Sequence, residues 1–405
     1  MRVCGIIAEY DPFHSGHRHQ LKSAREQSGA EYVVAVIGCA FSQRGEAMLF
    51  STQARAEMAL RSGADLVLGM PVSFSCAQAN RFARGGVGIL HSLGPVTHLS
   101  FGCEQGFAAH LAATAELLHR PSPAFIRRLK AGLEAGLSFA AAQGEALGAC
   151  LAQVPPRAFS APNFILGVSY LAELARLGSG IRPLPIPRGG DYHAKGLSGL
   201  PSATAVRAAL LQGNWPGVRA SVPEESLTVI RPAAERAQLH RPGALDALVI
   251  ARLMEAGEQR LLPSPEMSEG LEKRIAARAR QAASRQELID LVKTRRYPRS
   301  RVGRAVSHGL MGLTSFPDRP GYARLLGFRK RAAPLLKAIK SGGFPLIDRP
   351  GRAAPPDFAQ DMRAEELWAL GAGLPPASAW QHLMIVLDEG GTICGKSTYP
   401  PSPRP

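Results

Sequence analysis

Five short apolar runs punctuate the first half of the chain, at residues 3–8, 32–37, 65–68, 98–101 and 184–186. Between them lie stretches of helical length and pattern, at about 16–27, 52–62, 79–90 and 106–119. Strands separated by helix-length crossovers fold as a parallel sheet with helices on its faces. Residues 122–178 are rich in Ala and Leu and predict further helices, and 202–212 predicts a helix beginning at Ser202 or Thr204. After about residue 214 the strand signals fade. Proline-containing breaks alternate there with helical stretches at 244–256, 269–293, 302–312 and 322–341. The expected class is therefore α/β: a Rossmann-like parallel-sheet region over 1–214, then a mostly α-helical region over 215–345. Residues 342–356 read as a Gly/Pro-rich loop, and 396–405, with four prolines, as a disordered tail within a C-terminal segment 346–405. No internal repeat is visible.

At 45% hydrophobic and 20% charged residues, the chain of 405 can bury sizeable cores, which excludes a wholly disordered protein. No apolar run approaches the roughly 18 residues of a membrane span. The N-terminus enters an apolar run at once and then meets Glu9 and Asp11, without a basic leader. A cytoplasmic location is expected. The six cysteines are scattered with no CxxC pair, which argues against a structural zinc site and a disulfide framework.

Charge is the outlying property. The net charge is +16, and residues 271–340 hold 18 Lys and Arg against 4 Asp and Glu, or +14 in that span alone. Acids for i,i+4 pairing are mostly absent, so the cluster calls for an anionic partner such as a nucleic acid. A GC-rich genome that favours Arg codons is the alternative. Tyr297, inside KTRRYPRSR, either stacks on a base or packs internally.

The chemistry-bearing stretch is GIIAEYDPFHSGHRHQL, residues 5–21. Its His14-Ser15-Gly16-His17 follows the first expected strand and opens the first expected helix. Ligands of a parallel sheet bind at the carboxyl ends of its strands. A helix start there offers free N–H groups and a positive dipole end to phosphate. Two imidazoles can donate to phosphates as charge builds, and Gly16 lets backbone approach the ligand. A second phosphate-type arrangement is SATAVR, residues 202–207, where Ser202 and Thr204 open a helix and Arg207 lies a turn on. No Walker A or GxSxG run competes. His91, His98, His110 and His119 are spaced irregularly and read as packing or surface residues. His193, in GGDYHAKG, reads as either a site edge or a loop residue.

Together these elements resemble the HxGH nucleotidylyltransferase superfamily. More closely, the chain resembles the bacterial tRNA(Met) cytidine acetate ligase family. The supporting runs are GIIAEYDPFHSGH, residues 41–71, LSFGCE, APNFILGVSYL, SATAVR, YPRSRVGRAVSHGLMGL and YARLLGF. The last two fall in the basic helical region, and the likeness thins after about residue 345. The resemblance implies ATP as substrate, with Mg2+ an option. It also implies acetate activated as acetyl-adenylate, and transfer to N4 of the wobble cytidine of elongator tRNA(Met). His14 and His17 would be catalytic. ATP contacts are implied for Ile7, Ala8, Glu9, Tyr10, Asp11, Pro12, Phe13, His14, Ser15, Gly16, His17, Arg18, His19 and Gln20, and for Gly102, Asn163, Arg188, Gly189, Ser202, Thr204 and Arg207. Gln43, Arg44 and Glu46 would face the acetate or cytidine. Taken alone, Asn163 reads equally as a helix cap and Arg188 as a surface arginine.

The chain departs from the family pattern at four positions. Asp11 replaces an Asn and is offered as a magnesium ligand. Ala40 replaces an Asn, Gly69 a Glu, and Gly189 an aliphatic residue. The expectation is an intact nucleotide site with an altered acceptor side. Two alternatives stay open: a nucleotidylyltransferase acting on a small metabolite, and a binding-only RNA paralogue.

Overall fold

The computed structural model describes residues 1–188, 202–348, 354–380 and 384–394. Strands β1 (Val3–Ala8), β2 (Tyr32–Gly38), β3 (Leu66–Met70), β4 (Val96–Glu104) and β5 (Arg182–Arg188) are mutually parallel, in spatial order β5-β4-β1-β2-β3. The chain runs from β1 through α1 (Ser15–Ser28) to β2, and through α2 (Thr52–Arg61) to β3. It then returns to place β4 on the other side of β1. The crevice at this reversal of direction lies beyond the carboxyl ends of β1 and β4, where doubly wound sheets bind ligands.

Alternation along each strand separates two cores. Val3, Ile7, Val34, Val36, Leu66 and Leu68 face one of them, with Phe74, Val87 and Leu174. Cys4, Ile6, Val33, Ala35, Ile37 and Val67 face the other, with Leu21, Met58 and Val206. A third core gathers the helices Asp246–Leu261, Leu271–Ala279, Arg285–Val292, Arg299–Met311 and Phe358–Gly371. The six cysteines carry no disulfide. No helix among the described residues is long and apolar enough to cross a membrane.

Two expected helices differ. The stretch 269–293 is broken: Ser284 accepts from the Glu287 amide at 3.1 Å and starts a new helix there. The stretch 322–341 begins as β6 (Ala323–Arg329), antiparallel to β3. Two short strands, β7 (Leu346–Ile347) and β8 (Ile385–Leu387), pair with its far side. Residues 323–327 are buried on both faces, and a short doubly buried strand carries no alternation to distinguish it from a helix segment. Gly327 permits the contact with β8, since a Cβ there would sit 2.6 Å from the Ile385 carbonyl oxygen. Residues on either side of position 214 thus share one sheet.

Candidate active site

A cavity of about 390 Å³ opens at the ends of β1, β4 and β5. The loop after β1 and the start of α1 contribute Ile7, Ala8, Glu9, Tyr10, Asp11, His14, Gly16, His17, His19 and Gln20. Gly102, Asn163 and Arg188 line it from the β4–β5 side, and Ser202, Thr204 and Arg207 from the start of the Ala203–Leu211 helix. Gln43, Arg44 and Glu46 line it from a hairpin after β2. Phe82, Phe101, Leu166 and Tyr170 add an apolar wall. HxGH and SATAVR, nearly 190 residues apart in sequence, therefore meet across one space.

The histidine geometry is set by helix capping. His14 is the N-cap of α1, and its Nδ1 accepts from the Gly16 amide at 3.1 Å. His17 Nδ1 accepts from the His14 amide at 3.3 Å, completing a reciprocal cap. The rings stack with centroids 3.7 Å apart. An Nδ1 that accepts is unprotonated, so each neutral ring carries its proton on Nε2. Burial, then the Arg188 and Arg207 charges, hold His14 down at about 3. Burial, then the neighbouring His14, hold His17 well below its ordinary value. At neutral pH both are uncharged donors. His14 Nε2 has no protein partner, an orphaned buried donor at the cavity wall that a ligand oxygen would satisfy. Gly16 has a nearer cause than ligand approach: a Cβ would lie 2.9 Å from His14 Cε1 and push the capping ring away.

Four residues of the implied contact stretch do not line the cavity. Phe13 packs in the core against Tyr10, ring centroids 4.7 Å apart, and Pro12 follows a cis peptide bond. Ser15 donates to the Ser221 carbonyl at 2.9 Å, and Arg18 pairs outside with Glu225. Gly189 and His193 lie outside the described residues. Asp11 does not stand free for a metal. Its two oxygens accept from the Leu49 and Phe50 amides at 2.8 and 3.0 Å, and Arg207 donates to its carbonyl at 2.7 Å. Two backbone donors suit a carboxylate, which offers only acceptors, better than an amide, which would turn an NH2 toward one of them. No group of three or more metal-ligating side chains occurs among the described residues.

A family model, HIGH nucleotidyl transferase, matches residues 1–378. A tRNA(Met) cytidine acetate ligase of Acetivibrio thermocellus is 35% identical over 365 residues, covering 86% of this chain and 88% of that protein. One from Bacillus subtilis is 32% identical over 384 residues, covering 91% and 92%. The chain belongs to the HIGH nucleotidyl transferase family, among its tRNA(Met) cytidine acetate ligases. In three dimensions it is similar to Thermotoga maritima TmcAL in its apo form, with a TM-score of 0.89 at 28% identity, covering 96% of this chain and all of the other. It is also similar to TmcAL bound with alpha-thio ATP, with a TM-score of 0.86 at 27% identity.

Two of this ligase's departures from the family pattern fall away from the cavity. Ala40 is fully buried in the helical core, and Gly69 is an interior residue of β3; neither lines the cavity. A Cβ at 69 would lie 3.0 Å from Cys39 Sγ and 3.2 Å from Arg324 Cβ. A buried carboxylate stands close by, since Glu365 pairs with Arg324 at 2.5 Å. Ala40 packs in the helical core, and Gly69 packs between β3, β6 and the C-terminal helix. They therefore give no support to a changed acceptor side.

Three features of the ligase escaped motif reading. Glu104, the last residue of β4, accepts from the Asn163 side chain at 2.8 Å and from the Asn163 and Phe164 amides at 3.0 and 2.8 Å. It caps the Pro162–Arg176 helix and turns Asn163 Oδ1 toward Arg188 Nη1, 3.5 Å away. Arg55, wholly buried in α2, binds the carbonyls of Glu9, Gly38 and Cys39 at 2.7 Å each and that of Phe50 at 3.2 Å. It ties the ends of β1 and β2 to the loop before α2. The third is the clamp on the hairpin around Gly45. This residue has φ +79°, and Arg285 and Ser307 both donate to its carbonyl. A Cβ at Gly45 would strike the Gly303 carbonyl oxygen at 2.5 Å, so the hairpin rests on the Arg299–Met311 helix backbone to backbone.

The basic span is partly neutralised within the fold. Asp290 takes Lys293 and Arg299, Glu269 takes Arg296 and Arg301, and Glu266 takes Arg304. Lys273, Arg280 and Arg295 are exposed. Tyr297 follows the packing alternative: its hydroxyl donates to the Glu269 carbonyl, and the Arg301 guanidinium lies 5.3 Å from its ring centroid.

Proposed function

We propose that this ligase activates acetate with ATP as acetyl-adenylate and acetylates N4 of the wobble cytidine of elongator tRNA(Met). The observation that carries the reading is the pair of neutral histidines, fixed as Nε2 donors, facing Arg188, Arg207 and the Ser202 helix start in one cavity. The relatives' shared name points to the same reaction. In the first step an acetate oxygen attacks the α-phosphorus, and the bond to the bridging oxygen of pyrophosphate breaks. Charge grows on the phosphate oxygens. The Nε2–H groups of His14 and His17 and the Arg188 and Arg207 guanidiniums are preorganised to receive it. The adenosine would lie along the apolar wall. Gly102 leaves room there, since a Cβ would make only ordinary contacts at 3.8 Å or more with Arg188 and Asn163. In the second step the cytidine amine attacks the acetyl carbonyl and AMP leaves.

Residues 1–214 carry the ATP site in this account, residues 215–345 the tRNA-docking surface, and 346–405 a divergent C-terminal segment. The hairpin at Gly45 links the first two, because it lines the cavity while resting on a helix of the basic region. Labelled pyrophosphate is expected to exchange into ATP when acetate is supplied, and not when it is left out. Exchange indifferent to acetate, with consumption of a small phosphate ester instead, would overturn the reading.

A further inference from the structure

Aminolysis of an acyl-adenylate by a cytidine amine needs a proton acceptor, because the amine is weakly basic and must lose a proton as the C–N bond forms. Few of the described groups lining the cavity can serve. His14 and His17 have Nδ1 occupied by backbone amides and a proton already on Nε2. Both Asp11 oxygens hold backbone amides. Glu46 and His19 are exposed, where bulk water competes for their protons. Glu9 remains. It stands in the loop directly after β1, partly accessible and on the cavity wall. Its Oε1 accepts from the Gln43 amide at 2.7 Å, which fixes the carboxylate against the hairpin clamped on the basic region.

We propose that Glu9 is the general base of the acetyl-transfer step. The inference rests on the two-step reading above. The N4 nitrogen attacks the acetyl carbonyl carbon and one N–H proton passes to the Glu9 carboxylate. The tetrahedral intermediate then expels AMP by breaking the bond from carbon to the phosphate oxygen, leaving the N-acetyl amide. The proton on Glu9 returns to solvent. Its setting suits the role. Withdrawal from bulk water raises the carboxyl above its ordinary value, and Asp11, in its own loop, pushes the same way. The Gln43 amide, Arg207 and Arg55 pull it back. Tyr170 and Cys76 face it from the remaining packed elements. A base raised toward neutrality accepts a proton more effectively than an ordinary carboxylate.

The test is Glu9→Gln, which keeps the acceptor for the Gln43 amide and loses the base. Acetate-dependent pyrophosphate exchange and single-turnover transfer from synthetic acetyl-adenylate to tRNA are measured separately. Transfer is expected to fall about 10²–10⁴-fold, the usual span for a general base. Exchange should fall far less, so the ratio of transfer to exchange drops at least about a hundredfold. Wild-type transfer should decline as pH falls through the raised carboxyl value, and the residual Glu9→Gln rate should lack that limb. Glu9→Asp, which retains a displaced carboxylate, should recover part of the transfer. Equal losses in both half-reactions, or transfer at the wild-type rate, would overturn the assignment. So would transfer that survives Glu9→Gln but is lost in His19→Ala or His193→Ala. Absence of acetate-dependent exchange in the wild type would instead sink the two-step reading itself.

Discussion

Alanine at both His14 and His17 is expected to lower acetate-dependent ATP turnover by three orders of magnitude or more, while tRNA affinity stays close to that of the wild type. Loss of one preorganised donor to a developing oxyanion costs about 10²–10³ in rate. Here two donors are lost together, both set in the cavity wall. The rings also cap α1 and stack on each other, so the single effects will not add. Part of any loss with alanine is structural, because an N-cap contributes about 1 kcal/mol. His14→Asn separates the two. Asparagine is a good N-cap but has no donor placed where Nε2 stands, so its melting temperature should recover while turnover does not. Turnover restored by His14→Asn would show that the histidine matters as a cap and not as a donor.

Methionine at Arg55 is expected to give the largest stability loss of any single substitution in the chain. The side chain is wholly buried and its guanidinium serves the carbonyls of Glu9, Gly38, Cys39 and Phe50 and the Thr52 hydroxyl. Each buried acceptor left unpaired costs about 1–3 kcal/mol, and four carbonyls would be left together. That sum is comparable with the whole stability of a domain, about 5–15 kcal/mol. Arg55→Met should therefore be recovered largely as insoluble or unfolded protein. Arg55→Lys should be intermediate, since an ammonium is a point donor and cannot span carbonyls on several sides as the planar guanidinium does. A Met variant melting within about 3 °C of the wild type, a shift of roughly 1 kcal/mol, would contradict the role assigned to this arginine.

The parts of the site legible in the sequence are those whose chemistry is local. A strand run that stops at Ala8, a histidine pair spanning the start of the next helix signal, and Ser202 three residues before its amide donor all report on the backbone beside them. The parallel strands were legible for the same reason, because each is a short apolar run between helix-length stretches. What could not be read depends on partners far along the chain. Arg55 looks like any arginine of an amphipathic helix until the loop ends it binds are folded around it. Glu104 becomes a cap only when the Pro162–Arg176 helix is docked on β4. β6 hides because burial on both faces erases alternation. Ala40 and Gly69 misled for the complementary reason. A departure from a family pattern records that a residue changed, but only the packing around Cys39, Arg324 and Glu365 shows which side of the wall it changed on.

The charge excess was legible as a total and not as a surface. Four acidic residues in the 271–340 span read as too few for pairing, yet Asp290 holds two basic partners, and Glu266 and Glu269, just outside the span, hold three more. Lys273, Arg280 and Arg295 are among the basic residues of the span left exposed.

The central claim is that one cavity joins ATP-driven acyl activation to RNA acetylation. It is tested most directly by incubating the purified ligase with ATP, isotopically labelled acetate and total tRNA, and analysing the digested nucleosides by mass spectrometry. The account predicts labelled N4-acetylcytidine that requires all three components and is lost with His14 and His17 both replaced by alanine. ATP consumed in the presence of acetate and tRNA, with no labelled acetylcytidine formed, would contradict it.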